Sequence, residues 1–195
     1  MLVWIGYPRP SSPKFLFLDR DGVINVDSSR YVKSWEEFHF YPDALDALRF
    51  LRERSVHAIL ISNQSVVNRG LMTLAQLWEL HGRMVREIRQ AGGDLLAAFY
   101  CPHRPDENCS CRKPLPRMVH YAAELFSIDP AKTYLIGDRK TDILAAGESG
   151  CKSILVERSD SEHPPEGVWD GWQPEERYPT ILDAVKTLWE QGKLS

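Results

Sequence analysis

The chain has 195 residues, 43% of them hydrophobic and 26% charged, with a formal net charge of −3. That is ample apolar material for one packed domain, with no excess positive charge to attract nucleic acid or an anionic membrane. No apolar run approaches the roughly 20 residues of a membrane span, and the N-terminus lacks a signal-peptide pattern, so the cytoplasm is the expected setting.

The first β-rich apolar run, 14–19, ends on Asp19-Arg20-Asp21-Gly22-Val23-Ile24-Asn25. Gly22 lets the strand end and the backbone curl, so two carboxylates two residues apart can face one site. One can act as a nucleophile while the other reaches the leaving group. A bare pair of acids is also compatible with a solvated surface or a passive cation site. The interval 26–41 is polar and aromatic, a flap over the site or a surface loop. Ala44, Leu45, Leu48 and Leu51 then recur at helical spacing, predicting a helix over 43–54.

A second strand, 56–62, leads into Ser62-Asn63-Gln64, whose hydroxyl and amides suit phosphate oxygens but would equally cap a helix. Thr73 with Gln76 forms a capping box, and Met72 with Leu77 a hydrophobic staple, at the start of a helix over 73–91. The third strand, 95–101, runs into a loop holding Cys101, His103, Cys109 and Cys111. Three thiolates and an imidazole so close together match a four-coordinate structural zinc site better than a disulfide framework. With all four positions filled by protein, such a zinc would pin the loop presenting Arg112 and Lys113, not catalyse. The fourth cysteine, Cys151, reads as a buried residue at a strand start.

Pro116 suits the first position of a helix over 116–127. Strand 132–137 ends on Gly137-Asp138, and a helix over 140–149 carries Asp142; hard oxygen ligands of this kind suit Mg2+. A last strand, 152–156, precedes a segment rich in Pro, Glu and Trp and a helix over 180–191. Trp169, Trp172 and Trp189 read as cover for the core more readily than as sugar-stacking rings. Strands alternating with helices give an α/β fold: a Rossmann-like parallel sheet flanked by helices, with ligands beyond the strands' carboxyl ends. The expectation is one domain over 1–195, its core about 13–157 and a tail with a helix over 158–195.

The order D-x-D-G, S-N-Q, R-K-P, G-D-x-x-x-D, each after a predicted strand, resembles the four motifs of the haloacid dehalogenase superfamily. That resemblance implies a capless phosphatase fold with a zinc-binding loop, and an aspartyl-phosphate intermediate. It makes Asp19 the nucleophile and Asp21 the acid and base. Ser62 and Lys113 would hold the transferring oxygens. Mg2+ would take the carboxylates of Asp19 and Asp138 and the main-chain oxygen of Asp21, while Asp142 would orient Lys113 or a metal-bound water.

With the Cys/His loop the resemblance narrows to the heptose-bisphosphate phosphatases, grouped with the histidinol-phosphate phosphatases, over about 13–157. Asn25 to Asp27, Tyr31-Val32 and Arg69-Gly70 favour the heptose branch. By that similarity Arg112 would read the substrate and Arg139 contact it, with Asp27, Ser62, Asn63, Gln64 and Ser65 nearby; Arg69 is a further cation for a phosphate. Where relatives usually continue Gly-Ile/Val-Ala-Arg-Gly, this chain has Val66-Val67-Asn68-Arg69-Gly70. It also carries one extra residue before Tyr31 and a compact zinc loop. The leading expectation is therefore a Mg2+-dependent, monomeric sugar-bisphosphate phosphatase acting on a small phosphosugar, without nucleic-acid or membrane partners. Histidinol-phosphate hydrolysis is the enzymatic alternative, and non-catalytic phosphosugar binding is the alternative of another class.

Overall fold

The computed structural model describes residues 1–7, 10–159 and 173–194. Its centre is a seven-stranded sheet: β1 (Leu2–Ile5), β2 (Phe15–Leu18), β3 (His57–Asn63), β4 (Ala97–Cys101), β5 (Tyr134–Gly137), β6 (Lys152–Val156) and β7 (Glu176–Tyr178), in the order β1-β4-β3-β2-β5-β6-β7. Every pairing is parallel except that of β1 with β4. The five expected strands are present within two residues of their bounds. The edge strands β1 and β7 were not expected. They are four and three residues long, too short to show a period against their surroundings.

Among the described residues five α-helices flank the sheet: α1 (Pro42–Glu53), α2 (Leu74–Gln90), α3 (Arg117–Phe126), α4 (Lys140–Ser149) and α5 (Ile181–Glu190). The side-chain alternation of each strand decides which helices cover which face. Leu16, Leu18, Leu60 and Ile136 join the cluster with α1, α2 and α5, whereas Phe17, Ile59, Ile61 and Leu135 pack with α3. Both faces are therefore covered, as a parallel sheet requires.

Local signals set the helix ends. Thr73 and Gln76 form the expected capping box, and Met72 and Leu77 are both buried beside it. Pro116 is the residue before α3 and not its first, a shift of one. The interval 26–41 contains no helix or strand; it is tied down by a bridge from Asn25 to Phe40 and by burial of Val32 and Phe38. Of the three tail tryptophans, Trp189 packs against the core, while Trp169 and Trp172 lie outside the described residues. Among the described residues no helix is long and apolar enough to cross a membrane.

Candidate active site

β2, β3 and β5 are adjacent and parallel, so their carboxyl ends bring Asp19, Ser62 and Asp138 to one edge of the sheet. Asp19 follows directly on β2 and is anchored by its N–H, which donates to Ile136 O at 2.9 Å. Two glycines make this edge tight. At Gly22 (φ 79°) a Cβ would lie 2.0 Å from an Asp138 carboxylate oxygen, and at Gly137 one would lie 2.2 Å from Asp142 Cβ. Each glycine leaves the space that an acidic side chain fills.

Lys113 is the electrostatic centre. It is 2% exposed, and its Nζ lies 2.9 Å from Asp19 Oδ1 and 2.6 Å from Asp142 Oδ1, while donating to Ile61 O at 2.7 Å. Burial alone would lower its pKa, but Asp142 and Asp19 more than reverse that, so the ammonium stays charged. Asn63 positions it: Nδ2 donates to Lys113 O and Oδ1 accepts from Lys113 N–H, both at 3.0 Å. Asp142 is fully buried, and its other oxygen accepts from Arg139 N–H at 3.0 Å at the start of α4. Burial pushes its carboxyl up to about 6 against the pull of Lys113.

The carboxylates of Asp19, Asp138 and Asp142 have oxygens within 4.8 Å of one another. Asp138 is 4% exposed, and neither of its oxygens has a hydrogen-bond partner among the described residues; Arg139 Nε comes within ion-pair reach at 3.9 Å. Burial first, then Asp142 and Asp19, raise its pKa well above its ordinary value. A buried acid with both oxygens unsatisfied is costly unless a cation meets it. An oxygen-preferring divalent ion beside Asp19 and Asp138 fits this donor set.

Asp21 is held differently. Arg20 Nη2 lies 2.7 Å from Oδ1 and 3.0 Å from Oδ2, Asn25 Nδ2 donates to Oδ1 at 2.9 Å, and Gln64 Nε2 donates to Oδ2 at 2.7 Å. Gln64 also donates to Ser62 Oγ at 3.1 Å. Sequence reading placed Asn63 and Gln64 at the substrate; here their amides hold Lys113 and Asp21, and Asn63 also lines the cleft. Arg20 and Asn25 were missed as site residues. The only local sign of Arg20's role is its place between two aspartates.

A cleft of about 760 Å³ opens beyond this edge, lined by Asp19, Asp21, Lys113 and Asp138 at its base. Asp27, Ser28, Ser29 and Tyr31 contribute one wall, which resolves the 26–41 interval as a flank of the site. Arg69, Arg112 and Arg139 also line it, with Ser65. Arg139 is paired with Asp27, Arg69 stacks over the Tyr31 ring at 5.4 Å, and Arg112 donates to His103 O at 3.1 Å. The three expected cations thus converge on one space beside the carboxylates.

The Cys/His loop forms a second compact group. Cys101 Sγ lies 3.5 Å from His103 Nδ1 and 3.6 Å from Cys109 Sγ; Cys111 Sγ lies 3.4 Å from His103 Nδ1 and 3.9 Å from Cys109 Sγ. All four cysteines of the chain are free thiols. A tetrahedral zinc with bonds of about 2.3 Å to sulfur and 2.05 Å to nitrogen would give edges near 3.8 Å and 3.5 Å. The observed edges match, so these residues fit the metal.

Comparison with known proteins agrees with this geometry. Residues 110–184 match the HAD-hydrolase-like family. The chain is 42% identical over 144 residues to a D-glycero-beta-D-manno-heptose-1,7-bisphosphate 7-phosphatase of Bordetella bronchiseptica, covering 74% of this chain and 80% of that one. It is 40% identical over 149 residues to the Pseudomonas putida protein of the same name, covering 76% and 85%. Among solved structures, the B. bronchiseptica D,D-heptose 1,7-bisphosphate phosphatase complexed with magnesium and phosphate superposes with a TM-score of 0.82. The two are 35% identical, over 91% of this chain and 99% of that one.

Proposed function

The chain belongs to the HAD-like family of heptose-1,7-bisphosphate 7-phosphatases, and from that premise we propose that it hydrolyses the 7-phosphate of D-glycero-D-manno-heptose 1,7-bisphosphate. The observation that carries the chemistry is Lys113 Nζ, 2.9 Å from Asp19 and 2.6 Å from Asp142, beside the unsatisfied carboxylate of Asp138. That arrangement couples a nucleophile, a fixed cation and a cation-binding acid at one point.

Asp19 Oδ attacks phosphorus in line and forms an aspartyl-phosphate, breaking the bond to the sugar oxygen. Asp21 gives a proton to that oxygen, then takes one from the water that cleaves the acyl phosphate. At rest its partners favour the ionised form; the arriving phosphate dianion opposes Arg20 and raises Asp21's affinity for the proton it must donate. Ser62 and Lys113 hold the equatorial oxygens, where fixed dipoles and charge act in a low-dielectric site. Mg2+, held by Asp19, Asp138 and the main-chain oxygen of Asp21, would offset charge on nucleophile and phosphate. Asp142 keeps Lys113 in place. Asp27, Asn63, Ser65, Arg69, Arg112 and Arg139 surround the rest of the substrate, the three arginines supplying charge for its second phosphate, while Gln64 holds Asp21 from behind. Zn2+ on Cys101, His103, Cys109 and Cys111 would stiffen the segment leading to Arg112 and Lys113.

The same proposal takes residues 1–195 as one catalytic domain, working as a monomer in the cytoplasm on a soluble phosphosugar. The test is Mg2+-dependent phosphate release from both anomers of the heptose bisphosphate, histidinol phosphate and fructose 1,6-bisphosphate. Preference for a heptose anomer supports the reading. Preference for histidinol phosphate would leave the chemistry standing and overturn the assigned sugar; release from none of them would favour binding without catalysis.

A further inference from the structure

Behind the D-x-D-G turn, away from the cleft lining, the structure holds another charged pair, part-buried, that links distant parts of the chain. Arg158 follows β6, and its side chain is 7% exposed. Its guanidinium meets Asp43, in the first turn of α1, with two bonds: Nη1 to Oδ1 at 2.9 Å and Nη2 to Oδ2 at 3.0 Å. Its Cζ lies 3.5 Å from the centroid of the Tyr41 ring. Asp43 Oδ2 also accepts from Ile181 N–H, the first residue of α5, at 3.2 Å. The rest of the fork is spent on backbone: Nε donates to Gly22 O at 3.1 Å and Nη2 to Val23 O at 3.3 Å.

Those two carbonyls belong to the turn that begins at Asp21. Inside the turn, Gly22 N–H donates to Asn25 O, and the N–H groups of Ile24 and Asn25 converge on Arg20 O. Its cleft side presses on Asp138, since a Cβ at Gly22 would fall 2.0 Å from that carboxylate. The turn is therefore gripped from behind by Arg158 and abuts a metal-site acid in front. Mg2+ tolerates little departure from octahedral bonds of about 2.0–2.1 Å, so a small shift of this turn matters more to the ion than to the fold. A planar guanidinium bonded to a carboxylate and stacked on a ring has a fixed orientation, which a lysine would not reproduce.

We infer that Arg158, held by Asp43 and Tyr41, is a positioning residue that sets the place of the Gly22–Val23 turn and thereby the Mg2+ affinity of the site. The inference rests on the phosphatase reading for the identity of the ion, and on the geometry alone for the mechanical link. It also gives the end of β6 and the start of α5 a part in the chemistry, since both reach the turn through this one pair.

The experiment compares the full-length wild type with Arg158→Met, Arg158→Lys and Asp43→Asn. Mg2+ affinity is read by calorimetry without substrate, the Mg2+ half-saturation of turnover and the substrate KM by steady-state assay, and folding by thermal melting. Losing a group that supports a metal ligand from behind typically weakens metal binding by about 10- to 100-fold, and Arg158→Met should fall in that range. Its Mg2+ half-saturation should rise in parallel, with substrate KM at saturating Mg2+ within about twofold of wild type. Arg158→Lys should recover part of the affinity by keeping the charge. A melting temperature lowered with Mg2+ affinity at the wild-type value would reduce Arg158 to a structural strut and overturn the inference. If Arg158→Met does not fold, Asp43→Asn decides on the same criterion. A wild type that binds Mg2+ but releases no phosphate from any ester would sink the phosphatase reading, while the comparison of Mg2+ affinities still decides the role of Arg158.

Discussion

Arg20 closes on the carboxylate of Asp21, its neighbour in sequence, with Nε 3.1 Å and Nη2 2.7 Å from Oδ1 and Nη2 3.0 Å from Oδ2. Arg20 is 1% exposed, so this is a buried cation committed to one acid. Burial alone would raise the pKa of Asp21, but Arg20, with hydrogen bonds from Asn25 and Gln64, outweighs it and holds the carboxyl below its usual value. The carboxyl proposed as acid and base is thus fixed in direction by a buried neighbour that does not line the cleft.

Arg20→Met should therefore reveal itself through the leaving group. A sugar alkoxide needs protonation, whereas p-nitrophenolate departs without it. Positioned acid–base catalysis is worth about 10²–10⁴-fold, so the variant should lose at least about 10²-fold in kcat/KM on the sugar bisphosphate. Its loss on p-nitrophenyl phosphate should be much smaller. Equal losses on both esters would mean that Arg20 only supports the fold.

Asp19→Asn tests the covalent route. Asparagine keeps an oxygen that can accept from Lys113 and from Arg20 N–H, which meet Asp19 Oδ1 at 2.9 Å and 2.7 Å. The fold and its melting temperature should change little. Phosphate release should fall by at least about 10³-fold, as expected for loss of a nucleophile. Turnover near the wild-type rate would rule out the aspartyl-phosphate.

The metal loop makes a stoichiometric prediction. Protein purified without chelator should hold about one zinc per chain, because the sulfur and nitrogen atoms already stand at tetrahedral spacing. Cys111→Ser should release that zinc and lower the melting temperature. It should also slow phosphate release, since Cys111 lies two residues before Lys113. Elemental analysis and an assay on the same preparation read both. A zinc-free protein with full activity would contradict the role given to the loop.

What the sequence made legible here is local. Asp19 and Asp21, Ser62, and Asp138 with Asp142 sit at or just past a strand end or at a helix start that spacing could place, Lys113 lies in the turn between β4 and α3, and orienting Lys113 was one of two roles expected of Asp142. What it hid depends on partners far along the chain. Arg158 meets Asp43 across 115 residues and Asn63 meets Lys113 across 50, and no periodicity announces such pairs. The amides of Asn63 and Gln64 suit phosphate oxygens by their polarity, but their bonds to Lys113 and Asp21 come from contacts that spacing does not reveal. The edge strands β1 and β7 were lost for a simpler reason, that four and three residues carry too little pattern.

The buried imidazole of His81 should make stability pH-dependent in a direction that can be isolated. His81 is 2% exposed, its Nδ1 lies 2.8 Å from Tyr100 Oη, and burial together with the charge of Arg20 depresses its pKa to about 4. In the unfolded chain the value returns to about 6.5, so below that pH the unfolded state takes up the proton first. The stabilisation is complete above about pH 6.5 and is lost as pH falls toward 4, with about 2 kcal/mol gone between pH 7.5 and pH 5. His57 acts with the same sign, its pKa lowered by burial where its Nε2 accepts from the N–H groups of Ser11 and Ser12. Asp138 and Asp142 act oppositely, because carboxyls raised in the folded state bind protons before the unfolded chain does. The informative quantity is therefore the difference between wild type and His81→Phe in urea unfolding at pH 7.5 and pH 5, with Mg2+ saturating. That difference should shift toward the variant by about 2 kcal/mol on acidification; a difference that stays constant with pH would show that His81 carries the same charge folded and unfolded.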